Sequence, residues 1–236
     1  MKKGISAIVL LMAAVSSKAA TVEIYHDWAF TNVVSEANET TAGWYFSGGS
    51  GLSDQQINGV NFSGVTVTKD ADSSGSSGIL SWSSAAGYEF ADSYSSFDWH
   101  EPYSSQTAMS VGGLWSYGDG TMSLDLDIAA GVDYVISVVT LMPSGSETDR
   151  TYDVYVDGAL VADDVATVGS DPFNTCVKIY GTSDGNVDLD FSSGGYGDTA
   201  PAFSVITVTQ IPEPASIAML CIIMSVGFFI RRRFID

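Results

Sequence analysis

The chain has 236 residues and a formal net charge of −19, from 28 acidic and nine basic side chains. Six of the basic residues sit near the ends, as Lys2, Lys3, Lys18, Arg231, Arg232 and Arg233; residues 21–210 hold only Lys69, Arg150 and Lys178 against 26 acidic residues. A surface of that sign repels nucleic acid and anionic lipid and attracts cations, which excludes nucleic acid as a partner.

In chain order, Lys2 and Lys3 precede an apolar stretch from Ile5 to Val15, and Ser17-Lys18-Ala19 supplies small residues beyond it. A positive start, a short apolar middle and small residues before the cut describe a secretory signal peptide over residues 1–20. As a helix the apolar stretch reaches about 16 Å, well short of the ~30 Å hydrocarbon core of a membrane. Cleavage is expected after Ala19 or Ala20.

Residues 21–210 then form one domain, with no convincing amphipathic helix. Short alternating runs read as strands: Thr21–His26, Val60–Thr68, Met122–Ile128, Asp133–Leu141, Tyr152–Val156, Thr175–Tyr180, Val187–Phe191 and Ala202–Thr209. In LDLDI, Leu124, Leu126 and Ile128 share one face and Asp125 and Asp127 the other. VDLDF repeats this pattern with Val187, Leu189 and Phe191 inward and Asp188 and Asp190 outward. Asp157-Gly158 lies between Tyr152–Val156 and Ala159–Val161 as a hairpin turn, because Asp-Gly suits two positive-φ positions. SSGSSG at 73–78 reads as a flexible loop. The pattern predicts an all-β fold, an antiparallel β-sandwich. Cys176 is the only cysteine between 21 and 210, so no disulfide closes within the domain, and its alternation with Val177 and Ile179 makes it a small buried packing residue.

The stretches TYDVYVDG (151–158), DGNVDLDF (184–191) and FSVITV (203–208) resemble the second half of a galactose-binding-like jelly roll, over about 133–208. That resemblance implies a jelly-roll sandwich of a class that commonly binds carbohydrate through loops at one end. The stretch 21–120 matches it less clearly, and fold alone does not assign the activity.

Aromatic residues concentrate in 88–117, which holds eight of the 24 in residues 21–210: Tyr88, Phe90, Tyr94, Phe97, Trp99, Tyr103, Trp115 and Tyr117. Rings that stack on apolar sugar faces, with Asp98, His100 and Glu101 to accept or donate hydrogen bonds, are what a glycan surface needs. Trp99, Trp115, Tyr103 and Tyr94 are therefore the candidate ligand-binding residues; the alternative is that these rings cap the end of the core. His26-Asp27 and His100-Glu101 hold the only two histidines, and no metal-binding or acid–base spacing links them. Asp184, Asn186, Asp188 and Asp190 look like a calcium loop, but Leu189 and Gly195 stand where an EF-hand needs Gly and Glu, and a strand with a wet face accounts for them better. Asp163, Asp164 and Asp171, read as one loop, are the better candidates for a structural calcium. Apart from that, no cofactor is expected. No nucleophile elbow, phosphate loop or Cys–His arrangement is present, so no catalytic residue is assigned.

The stretch IPEPASIAMLCIIMSVGFFIRRRFID (211–236) closes the sequence. Ala215–Ile230 carries no charge and would span about 24 Å as a helix. Pro214 can start it, and Arg231, Arg232 and Arg233 can stay in the cytoplasmic interface, with the acidic domain on the other side. The run predicts a single transmembrane helix at about 215–230 with a basic tail at 231–236. Pro212-Glu213-Pro214, the apolar span and the arginine cluster together resemble the PEP-CTERM sorting signal of Gram-negative bacteria. The resemblance implies export, transient insertion in the inner membrane, processing by an exosortase-type membrane protease, and delivery to the cell surface or an exopolysaccharide or biofilm matrix. The sequence thus reads as an exported, surface-sorted, non-catalytic protein, binding or structural, with polysaccharide as its partner. The alternatives are a secreted polysaccharide-active enzyme, or a matrix protein with no defined ligand.

Overall fold

In the computed structural model the residues described are 19–26, 41–47, 52–57, 59–66, 74–84, 87–90, 113–116, 121–141, 151–166, 174–193 and 202–211. They form strands β1 (Thr21–His26), β2 (Thr41–Ser47), β3 (Gln55–Ile57), β4 (Val60–Thr66), β5 (Ser74–Ser77), β6 (Leu80–Ser84), β7 (Gly87–Phe90) and β8 (Gly113–Ser116). They continue as β9 (Met122–Leu126), β10 (Asp133–Leu141), β11 (Thr151–Val156), β12 (Ala159–Ala166), β13 (Asn174–Thr182), β14 (Val187–Ser193) and β15 (Ala202–Ile211). One sheet runs β1-β13-β10-β15-β2-β4-β3, with the β7–β8 hairpin attached to β15; the other runs β12-β11-β14-β9-β6-β5. The fold is an all-β, two-sheet sandwich.

The alternating strands behave as their sequences require. Leu124, Leu126, Val187, Leu189, Phe191, Tyr152, Val154 and Val156 are buried between the sheets, while Asp125 and Asp188 face outward as direct cross-strand partners. Burying each such apolar side chain is worth about 1.5–3 kcal/mol. The first sheet differs. Ile136, Val138, Val177, Ile179, Ile206 and Val208 face the inter-sheet core, yet Ser137, Val139, Cys176, Lys178, Val205 and Thr207 on its other face are buried too. A strand buried on both sides needs apolar residues at consecutive positions, and VISVV in β10 is such a run. Lys178 is held in this layer with its Nζ 5.9 Å from the centre of the Tyr25 ring. Cys176 is buried, as its strand position implies.

Two expectations change, and one central strand was not expected. SSGSSG is not a loop: Ser74–Ser77 is edge strand β5, paired with β6. It is glycine-rich for packing, since a Cβ on Gly75 would lie 2.5 Å from the Trp82 ring. The sandwich is not wholly antiparallel, because β2 and β4 pair in parallel. TAGWYFS (Thr41–Ser47), whose Trp44, Tyr45 and Phe46 are all buried, is a central strand that simple alternation does not reveal. Among the described residues no helix is long and apolar enough to cross a membrane, and 212–236 lies outside them.

The strand directions place most connections at one of two poles; 27–40 runs between them, from the end of β1 to the start of β2. The β3–β4, β5–β6, β9–β10, β11–β12 and β13–β14 connections are short and meet at one pole. All five glycines with positive φ among the described residues, Gly59, Gly78, Gly131, Gly158 and Gly185, lie in these turns. The Asp157-Gly158 turn has φ of 50° and 74°, the two left-handed positions that its sequence predicts. Thr21, where β1 begins, and Ile211, where β15 ends, lie at this same pole. The connections 67–73, 142–150, 167–173 and 194–201 leave and re-enter the sheets at the opposite pole, as do the short links on either side of the β7–β8 pair; Phe90 and Gly113, between which 91–112 runs, are at the end of that pair directed back toward the turn pole.

The turn pole is tied together by Ser183, which is buried. Its Oγ donates to Ile128 O at 2.6 Å and accepts from Gly185 N at 3.0 Å; its backbone N donates to Val132 O and its O accepts from Gly131 N. Removing the hydroxyl orphans a buried carbonyl. Ser183→Ala is therefore expected to cost about 1–3 kcal/mol, read as a lower urea midpoint with an unchanged slope.

Candidate functional site

The end of the core beneath the long-connection pole is aromatic. Phe191 and Phe203 pack edge to face with ring centres 4.5 Å apart, and Tyr152 lies 6.1 Å from Phe191. Phe203 of β15 pairs with Leu114 of β8, and β8 pairs with β7, so Trp115 stands opposite Tyr88 in a hairpin at this pole. Trp115 is thus on a strand, and the segment between β7 and β8 carries Tyr94, Trp99 and Tyr103, which lie outside the described residues along with Asp98, His100 and Glu101. His26, the last residue of β1, is at the same pole. The sorting residues Pro212, Glu213, Pro214, Arg231, Arg232 and Arg233 also fall outside the described residues.

The calcium candidates resolve differently. Asp184, Asp188 and Asp190 do not close into a loop: Asp184 is in the turn before β14, and Asp188 and Asp190 point outward from the strand. Ser123 Oγ donates to Asp190, and Asp188 N donates to Asp157 Oδ1 at 2.9 Å, which fixes the β11–β12 turn against β14. Desolvation raises the Asp188 carboxyl above its usual range, with Asp190, Asp125 and Asp157 adding repulsion.

Asp163 and Asp164 are likewise not on a loop with Asp171. They belong to β12, where the register against β11 shifts twice, and Asp164 takes a φ of 50°. The shift turns both toward Asp153 of β11, so that one carboxylate oxygen from each lies within 4.8 Å of the others. Asp164 N donates to Asp153 Oδ1 at 3.0 Å, and Thr151 Oγ1 donates to Asp164 Oδ1 at 3.1 Å. Asp153 could have been found in the sequence from its place on the outward face of TYDVYV, opposite the next strand. Three clustered carboxylates suit a hard cation such as calcium, although exposed acidic groups often cluster without one. Asp171 is outside the described residues.

At the turn pole a cleft of about 180 Å³ is lined by Ala19, Thr21, Asp133, Tyr180, Thr182 and Ile211, among others. Thr182 Oγ1 donates to Asp133 across its floor. Beside it Tyr180 and Tyr25 both donate to Glu23 Oε2. Burial, with Asp157 and Asp184 adding negative potential, pushes the nearby Tyr134 phenol up to about 12, so it remains a neutral hydrogen-bonding group.

No protein-family model matches this chain, and no curated protein does. Among solved structures, a family 35 carbohydrate binding module from Clostridium thermocellum is similar with a TM-score of 0.40 and 12% identity, over 55% of this chain and 92% of the module. A CBM35 from Paenibacillus barcinonensis is similar at 0.30 and 21%, over 42% and 77%. The ANXUR2 extracellular domain from Arabidopsis thaliana is similar at 0.44 and 14%, over 72% and 48%. These likenesses concern the β-sandwich.

The charge of Asp164, then that of Asp153, raises the Asp163 carboxyl above its usual range. A carboxyl raised on folding contributes its stability below its unfolded pKa and loses it as pH climbs through the folded value. Asp163→Asn is expected to raise the thermal midpoint at pH 7 in low salt. The gain should vanish near pH 4 and shrink in 1 M salt, where the screening length falls to about 3 Å. Thermal scans of both proteins across that range check it.

Proposed function

We propose that this chain is an exported, surface-sorted, non-catalytic protein that binds or organises polysaccharide in an extracellular matrix. On this reading residues 1–20 direct export and are removed, residues 21–210 are the working domain, and 211–236 carry it to the inner membrane for sorting to the cell surface. The uncharged run Ala215–Ile230 and Arg231, Arg232 and Arg233 support the membrane step, through their apolar length and through the preference of arginine for the cytoplasmic side.

One observation carries the binding half of the proposal: the concentration of aromatic residues in 88–117, on a strand pair joined to the sandwich where β8 meets Phe203 of β15. The connection between β7 and β8, which holds Tyr94, Trp99 and Tyr103, belongs to a strand pair joined to β15 at Phe203, at the other end of that strand from Ile211. Ligands of β-rich scaffolds are read by loops that a rigid framework holds, and this framework is pinned at the far end. Aromatic rings give a sugar-binding surface its stacking area, and the many serine and aspartate side chains supply hydroxyl and carboxylate partners. The jelly-roll resemblance of 133–208 and the likeness to carbohydrate-binding modules agree with this reading without establishing it. Nothing in it requires a covalent step or a metal.

Glycan-array and affinity-electrophoresis measurements on the mature protein test the proposal. Retention on at least one acidic or neutral polysaccharide is expected, and the Trp99→Ala/Trp115→Ala double variant should lose tenfold or more of it, because each stacking ring is worth on the order of 1 kcal/mol. Undiminished binding by a double variant that still folds would move the site elsewhere. Binding to no polysaccharide would favour a purely structural matrix protein, and hydrolysis of a retained polymer would favour the enzyme.

A further inference from the structure

We infer that the turn pole is the surface that faces the lipid bilayer while the tail is inserted, so that the long-connection pole is held outward. This rests on the proposed membrane insertion of 215–230 and adds to it a definite orientation and stand-off of the domain. Ile211 is the last residue of β15 and is paired with Asp133 of β10, so the chain is committed to the sheet up to the residue before Pro212. Only Pro212, Glu213 and Pro214 separate it from the uncharged run. Three residues reach at most about 10 Å when extended. The run itself is about 24 Å long as a helix, less than the ~30 Å hydrocarbon core, so its start is drawn toward the lipid and leaves no slack.

The other end of the domain reinforces this geometry. Ala19 and Thr21 line the same 180 Å³ cleft as Ile211, so the segment leading from the apolar stretch Ile5–Val15 enters the sandwich at the corner where the tail leaves it. Before the signal segment is removed, both membrane-directed stretches are tethered to one corner of one pole. The opposite pole lies one strand length away. β10 has nine residues, or about 30 Å at the rise of an antiparallel strand.

The surface so presented is made of tight turns and is acidic, with Asp127, Asp133, Asp157 and Asp184 all exposed on it. Its exposed large apolar side chains, Leu160 and Ile211, stand singly on different sheets, and its carboxylates repel anionic headgroups over a screening length of about 8 Å at physiological salt, which is comparable to the tether. The bilayer is therefore a near neighbour held by the tether, and the domain stands on it without inserting.

The experiment uses the exported chain with its tail in place, in a Cys221→Ser background that leaves only the buried Cys176. Single cysteines carry a fluorophore at the turn pole, as Asn186→Cys, or at the far end of β5, as Ser74→Cys; Asp184→Cys and Ser83→Cys form a second pair. The proteins are reconstituted in phosphatidylcholine vesicles containing a headgroup spin-labelled lipid, which quenches only at near-contact range. Quenching at least threefold greater at 186 and 184 than at 74 and 83 is expected. Equal quenching at the two pairs of sites, or the reverse order, with the protein floating with the vesicles, would overturn the orientation while leaving membrane insertion intact. A chain that does not float with the vesicles would overturn insertion itself, and the orientation with it.

Discussion

The buried hydroxyl of Ser183 stands where two short connections join the sheets. The β9–β10 and β13–β14 links both cross from one sheet to the other, and each leaves backbone groups that water cannot reach. Ser183 bonds to Ile128 and Gly185 through its side chain and to Gly131 and Val132 through its main chain. A residue without a hydroxyl would leave Ile128 O unpaired in the core, at a cost larger than the bond's net worth. The turn on the neighbouring hairpin is joined to the same group, since Asp127 N donates to Ile79 O. Asp157 and Asp188 tie a fourth turn to β14. One end of the sandwich is thus a hydrogen-bonded cap in which each connection limits the others.

That constraint explains the unequal poles. Turns of two to six residues between fixed strands must use backbone conformations that side chains disfavour, and the five positive-φ glycines are all spent there. Four longer connections, 67–73, 142–150, 167–173 and 194–201, lie at the opposite pole. The strand pair that carries the aromatic-rich connection is attached near that pole because β8 joins β15 beside its first residues, not because of anything in its own sequence. The register of two strand pairs decides the placement of the most chemically suggestive segment.

Much of this was legible in the sequence where each strand has one wet face. Leu124, Leu126 and Ile128 against Asp125 and Asp127, and Val187, Leu189 and Phe191 against Asp188 and Asp190, could be assigned to core and solvent residue by residue, and Asp157-Gly158 named its own turn. What was hidden has a common cause. Trp44, Tyr45 and Phe46 are consecutive because β2 is buried on both faces, and a period of two vanishes from such a strand. Ser74–Ser77 carries no hydrophobic signal at all; it pairs because Gly75 makes room for the Trp82 ring supplied by its partner strand. The cluster of Asp153, Asp163 and Asp164 was half visible, since a register shift between two strands brings it together and no spacing within one strand encodes it.

The doubly buried first sheet also bears on how an acidic domain without a disulfide holds together. Its charges are mostly of one sign, and where they meet, at Asp163 and at Asp188, the folded state raises their carboxyls, so folding works against the charge pattern there. The offset has to come from apolar burial. It comes from strands such as β10 and β15, central in the sheet and covered on both sides, in which nearly every position contributes. The acidic residues are then free to remain on the second sheet's outer face and in the turns, where repulsion is weakest and hydration greatest. A surface of this kind keeps copies of the domain apart at high density.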